Sequence, residues 1–154
     1  MNVTLRPPSP ADYDTIAAWI PDGDACRRWA GPKVPFPFAA ADLPTLLPVP
    51  GGGSYCLVGD RDAPLGFGQY WPRPGNTIHL LRIIVSPESR GKGLGRELCR
   101  QLIGRALAAS PAHALTLNVY RENGPAVALY EGLGFTVDAE KSNENALFMI
   151  KRVP

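Results

Sequence analysis

Residues Arg90-Gly91-Lys92-Gly93-Leu94-Gly95-Arg96 set three glycines at alternate positions among three cations. The apolar run Ile83-Ile84-Val85 precedes them, with Pro87 closing it. After them Leu94, Leu98, Leu102 and Ala106 step by four, and Ile103 and Leu107 widen the stripe. That pattern reads as a buried strand, a glycine-rich turn and an amphipathic helix from about 91 to 109. The first N–H groups of a helix have no internal partner, and the aligned peptide dipoles add partial positive charge there. An anion placed at that end gains several hydrogen bonds at once. Glycines let the amides close on the anion without Cβ obstruction and tolerate positive φ. With the side chains of Arg90, Lys92 and Arg96 added, the chemistry is retention of a diphosphate.

Three phosphate-binding patterns compete for this segment. A P-loop needs G-x-x-x-x-G-K-[ST], which the sequence lacks. A dinucleotide fingerprint, G-x-G-x-x-G read from Gly91, would need glycine where Arg96 stands. The pattern R-x-x-G-x-G fits Arg90 to Gly95 at every fixed position.

The surrounding elements must position that loop. Ser9-Pro10-Ala11-Asp12 reads as a helix start, with Tyr13, Ile16, Ala17 and Ile20 on one apolar face. A second short helix is expected over 22–30, then a proline-rich stretch to Gly53 with a helical turn near 42–47. Strands are expected over 2–6, 54–58, 64–71, 76–85, 114–120, 135–137 and 146–152, and a further helix over 124–132. Strands interleaved with helices predict one α/β layered domain over 1–154, with a mixed sheet of six to seven strands flanked by helices.

Composition narrows the function. Sixteen basic and fourteen acidic residues leave a net charge of +2, with no basic run, so no footprint for nucleic acid exists. No apolar stretch approaches the ~20 residues of a membrane span, and no leader pattern opens the chain. Cys26, Cys56 and Cys99 are widely spaced and odd in number, and read as small buried hydrophobes rather than a disulfide framework or a metal knuckle. A cytoplasmic, reducing location is expected.

A second segment carries a resemblance together with the first. Residues 115–135 run Leu-Thr-Leu-Asn-Val-Tyr-Arg-Glu-Asn-Gly-Pro-Ala-Val-Ala-Leu-Tyr-Glu-Gly-Leu-Gly-Phe. With Arg90–Gly95, this resembles the GNAT superfamily of N-acetyltransferases, closely over about 76–137 and only in coarse architecture over 1–50. The resemblance implies a GNAT-like acyl-CoA acyltransferase fold and transfer of an acetyl group from acetyl-CoA to a primary amine. Direct attack in a ternary complex is implied, with no metal and no covalent enzyme intermediate. The loop Arg90, Gly91, Lys92, Gly93, Leu94, Gly95 and Arg96 would hold the pyrophosphate. The backbone of Ile83, Ile84 and Val85 would pair with the pantetheine arm, one of its peptide groups polarising the thioester carbonyl, and Asn123 would also contact the arm. Tyr130 would bind the cofactor and protonate the departing thiolate; a phenol with a pKa near 10 holds a proton at neutral pH. From the residues alone, Asn123 also reads as a helix N-cap and Tyr130 as a core aromatic.

Aminolysis needs a neutral amine, so some group must take a proton. Strand alternation puts His79, Leu81, Ile83 and Val85 on one face. In histone and arylalkylamine acetyltransferases of the superfamily an acid or histidine stands four positions before the segment matching Ile83, and His79 occupies that place. With an ordinary pKa near 6.5 it is a candidate base, alongside a water relay or a purely structural role. The ribosomal-protein alanine acetyltransferases carry a catalytic Glu five residues before the Asn; here Asn118 stands there and cannot be a base. The acceptor, a small-molecule amine or a peptide N-terminus, is expected against the N-terminal half. Trp29, Trp71 and His79 are candidate contacts, within a set of aromatics (Trp19, Phe36, Phe38, Tyr70) that could form a wall. Asp22 and Asp24 could draw in a cationic amine. The resemblance is compatible with a homodimer, and a non-catalytic acyl-CoA sensor on the same fold is the alternative reading.

Overall fold

The computed structural model describes residues 2–154. Seven strands form one sheet in the order β1-β2-β3-β4-β5-β7-β6. They are β1 (Thr4–Arg6), β2 (Gly53–Val58), β3 (Pro64–Arg73), β4 (Thr77–Val85), β5 (Ala114–Tyr120), β6 (Thr136–Val137) and β7 (Ala146–Arg152). Helices α1 (Pro10–Ala17), α2 (Gly23–Ala30) and α3 (Leu43–Leu46) lie between β1 and β2; α4 (Leu94–Ala109) joins β4 to β5, and α5 (Gly124–Gly132) follows β5. This is the expected layered α/β architecture with a mixed sheet.

Each sheet face has its own core. Ile16, Trp19, Cys26, Trp29, Leu43 and Phe67 form the core under α1–α3. Leu98, Leu102, Ile78, Leu80, Leu115, Leu117 and Met149 form the core under α4, against which α5 also packs. On β5 the alternation is regular. Leu115, Leu117 and Val119 enter the α4 core, which turns Thr116, Asn118 and Tyr120 to the opposite face. The α1 start forms as its residues dictate: Asp12 accepts from the Ser9 amide at 2.7 Å and also pairs with Arg6. All three cysteines are free and buried, and burial pushes the Cys56 and Cys99 thiols up to about 12, so they act as packing groups.

Strand β4 departs from regular alternation. Phe67 pairs with Ile84 but Gln69 pairs with Leu81, so Gly68 alone stands opposite both Arg82 and Ile83. Arg82 has φ +52°, the mark of a β-bulge. The bulge reverses the faces beyond it. Ile83 and Val85 pack on the α4 core with Ile78 and Leu80, whereas Ile84 packs on the α1–α3 core. The expectation that His79, Leu81, Ile83 and Val85 share one face is therefore corrected. Gly68 suits the crossing, because a Cβ there would sit 3.1 Å from Leu102 and 3.3 Å from Ile83.

Candidate active site

The glycine-rich loop is a turn, and the helix starts later than expected. After one 3-10 turn at Pro87–Ser89, α4 begins at Leu94 with Gly93 as its N-cap. Gly91 and Gly93 have φ +78° and +80°, a conformation L side chains rarely adopt, and open space lies where their Cβ atoms would be. Gly95 serves a different need: a Cβ there would meet Leu129 of α5 at 3.3 Å and Val85 at 3.7 Å. Glu97 is the first residue of the helix to donate into it, to the Gly93 carbonyl at 3.2 Å, which leaves the amides of Leu94, Gly95 and Arg96 without a backbone partner among the described residues. Lys92 is exposed, Arg90 donates to the Val85 carbonyl and Arg96 reaches the Gly132 carbonyl. An unobstructed set of amides beside three cations fits a diphosphate.

Beside the loop the sheet opens. Strands β4 and β5, the one parallel pair among the described residues, are bonded only through Thr77–Ala114, Ile78–Leu115 and His79–Thr116. Beyond His79 they part, so among the described residues the peptide groups of β4 on that edge, through Ile83, Ile84 and Val85, lack a neighbouring strand. An extended amide-bearing chain can pair with them as an added strand would.

His79 stands at the fork. One ring nitrogen, Nδ1, lies 2.8 Å from Thr116 Oγ1; the other, Nε2, lies 3.4 Å from Asn118 Nδ2. The ring stacks on Phe148. Burial, then the charges of Arg73 and Arg82, lower its pKa to about 4. The imidazole is thus neutral at pH 7 but a weaker base than the ordinary value implies. Because the folded pKa is depressed, the unfolded chain binds the proton first as pH falls. The stability held above pH 6.5 is lost progressively toward pH 4. Lowering the pH from 6.5 to 4.5 should therefore destabilise the native protein by roughly 2 kcal/mol more than His79→Gln, measured by urea unfolding. Equal losses in the two proteins would contradict the depressed value.

Two arrangements hold the bulge, and neither was foreseen from the sequence. Trp29 Nε1 donates to the Arg82 carbonyl at 2.9 Å, tying α2 to β4. Arg82 Nη1 donates to Gln69 Oε1 at 2.9 Å and the Pro48 carbonyl at 3.2 Å, while Gln69 Nε2 donates to Leu47 and Ser54. The available signal was a charged residue inside the apolar run Leu80-Leu81-Arg82-Ile83-Ile84.

Tyr130 and His79 belong to opposite sides of the sheet. Tyr130 is buried in the α4 core, edge-on to Phe135, and burial raises its phenol well above the ordinary value near 10. It stays protonated at any physiological pH. Asn123 is the N-cap of α5, its Oδ1 accepting from the Ala126 amide at 3.4 Å.

Two cavities meet at His79. The larger, about 830 Å³, is lined by α2, the bulge and the free end of β5, and includes Trp29. The smaller, about 440 Å³, includes Trp71, Thr116 and Phe148. His79 lines both cavities, Trp29 lines the larger and Trp71 the smaller. The proposed aromatic wall is not assembled. Trp19 is in the α1–α3 core, Tyr70 faces the α4 core, and Phe36 and Phe38 pack on each other. Asp22 and Asp24 also fail as an amine trap: Asp22 caps α2 through the Ala25 amide, and Asp24 is paired with Arg27 and Arg28. Among the described residues no group of His, Cys, Asp and Glu could hold a metal ion, and no helix is long and apolar enough to cross a membrane.

Residues 23–135 match the model of the acetyltransferase (GNAT) family. A 5-NmdU N-acetyltransferase of Pseudomonas phage PaMx11 is 38% identical over 72 residues, 47% of this chain and 49% of its own length. The peptidyl-lysine N-acetyltransferase YjaB of Escherichia coli K12 is 34% identical over 87 residues, 54% of this chain and 49% of its own. The chain spans about half the length of the curated relatives it matches. Among solved structures, the spermidine N-acetyltransferase of Vibrio cholerae in complex with CoA and spermine shares the fold. Its TM-score is 0.79 at 19% identity, covering 97% of this chain and 95% of that one.

Proposed function

We infer the activity from a premise: this chain belongs to the acetyltransferase (GNAT) family. It is proposed to be an acetyl-CoA-dependent N-acetyltransferase acting on a primary amine by direct attack. The observation that carries this reading is the joining of an open amide cradle at Gly91–Arg96 to a parallel strand pair that separates after His79. The N-acetyltransferases among the relatives, and a neighbour in complex with CoA, support it.

Acetyl-CoA supplies an acyl group activated as a thioester. The amides of Leu94, Gly95 and Arg96, with Arg90 and Lys92, hold the diphosphate. The peptide groups on the open edge of β4, from Ile83 to Val85, align the arm and polarise the carbonyl, and Asn123 offers its side-chain amide to it. The amine nitrogen bonds to the carbonyl carbon as the carbon–sulfur bond breaks. The amine loses one proton and the thiolate gains one. His79, neutral and hydrogen-bonded to Thr116, accepts from the attacking amine or its water. A base with a pKa of about 4 holds that proton only briefly at pH 7, so water carries it onward. Tyr130 donates the proton to sulfur. The family's tyrosine–thiolate chemistry requires the phenol to reach the fork from the α4 side.

Incubation with acetyl-CoA and a pooled set of primary amines tests this, read as free thiol together with product masses 42 Da heavier (the acetyl increment, about 42 by elementary composition). Thiol release dependent on amine is expected. Tight acetyl-CoA binding without release would instead support an acyl-CoA sensor.

A further inference from the structure

Charge is distributed unevenly around the fork. The whole chain is nearly balanced at +2. The two cavities that meet at His79 are lined by Arg27, Arg28, Arg82, Arg73, Lys141 and Arg152, against only Glu122 and Asp138. Both carboxylates are engaged: Glu122 pairs with Arg27 at 2.9 Å, and Asp138 accepts from the Glu140 amide at 3.1 Å. Arg73, Arg82, Lys141 and Arg152 have no carboxylate within ion-pair distance among the described residues.

Arg82 is the most informative of these. It is half-buried on the bulge, and among the described residues only its Nη1 is bonded, to a carbonyl and an amide oxygen. Nothing anionic offsets its burial. A partly desolvated guanidinium with Nε and Nη2 unbonded offers the planar fork that a carboxylate accepts in two parallel bonds. The cofactor's phosphates do not account for it, because Arg90, Lys92 and Arg96 line neither cavity. A polyamine would meet net positive charge at short range, which disfavours its entry.

We propose that the acceptor is an amine whose own molecule carries a carboxylate, of the amino-acid class, with Arg82 receiving that carboxylate and the other cations drawing it in. This rests on the acetyltransferase reading and narrows its substrate. The attacking nitrogen and the carboxylate then belong to one small molecule that spans from His79 to the bulge.

The test uses the full chain, acetyl-CoA and three acceptor sets: the common L-amino acids, their carboxamides, and spermidine. Acetyl-CoA affinity is measured separately by calorimetry. Expected are at least tenfold greater kcat/KM for the best acid than for its amide or for spermidine. With that acid, Arg82→Gln should raise the acceptor KM about tenfold or more and leave acetyl-CoA affinity within about twofold. Should Arg82→Gln melt below the assay temperature, Arg28→Gln, at an exposed position of α2, is expected to raise the same KM by a smaller factor. Equal use of acid and amide, a preference for spermidine, or no transfer to any acid despite acetyl-CoA binding overturns the inference while leaving the cofactor reading intact. A fall in acetyl-CoA affinity in Arg82→Gln overturns it too, by placing the guanidinium on the cofactor. Absence of acetyl-CoA binding overturns both.

Discussion

Tyr130→Phe should lower turnover by about a hundredfold, since a positioned general acid contributes on the order of 10²–10⁴. Acetyl-CoA affinity should remain within about twofold. The substitution removes one oxygen and keeps the ring that packs against Phe135, so the fold should survive. Burial makes the contrast clean: the phenol holds its proton through any practical pH range. The residual rate should therefore show the same pH profile as the native enzyme, only lower. Turnover equal to the native rate would remove Tyr130 from the chemistry and leave it a core aromatic.

Gly93→Val should weaken acetyl-CoA binding about thirty- to hundredfold while changing the melting temperature little. Gly93 has φ +80°, and no atom lies within 4 Å of where a Cβ would stand, so the substitution clashes with nothing in the fold. Its cost is conformational. A β-branched residue at positive φ carries strain of about 1–3 kcal/mol, which the exposed loop relieves by turning its peptide groups. Turning them takes the cradle apart, and about 1.4 kcal/mol corresponds to a tenfold loss of affinity. Gly95→Val should behave differently, destabilising the fold through contact with Leu129 at 3.3 Å. If both variants bound acetyl-CoA as tightly as the native chain, the loop would not be the diphosphate site.

Local sequence carried most of the architecture because most elements here answer to local rules. Ser9, Pro10 and Asp12 start α1 where capping chemistry places it. Leu115, Leu117 and Val119 alternate with Thr116 and Asn118, so the face that bears the polar groups of β5 could be read directly. The bulge could not, because register belongs to a pair of strands. Arg82 and Ile83 share one partner only because Gly68 lies opposite. From that single displacement follow the faces of Ile83 to Val85 and the exposure of Arg82 to the larger cavity. The basicity of His79 was hidden for the same reason: it depends on burial and on Arg73 and Arg82, brought near by folding. The misplaced expectation for Asp24 was partly legible, since Arg27 and Arg28 lie three and four residues on, the spacing of helical ion pairs. Its neighbour in charge, Glu122, joins Arg27 from 95 positions away and was not.

The most direct measurement is amide NMR of the isotopically labelled chain during titration with coenzyme A. The largest shifts are expected at Gly93, Leu94, Gly95 and Arg96 and along Ile83 to Val85, saturating together with one affinity. Saturable shifts confined to other parts of the sheet, or none at any concentration, would show that coenzyme A does not lie across the helix start and the parted strands.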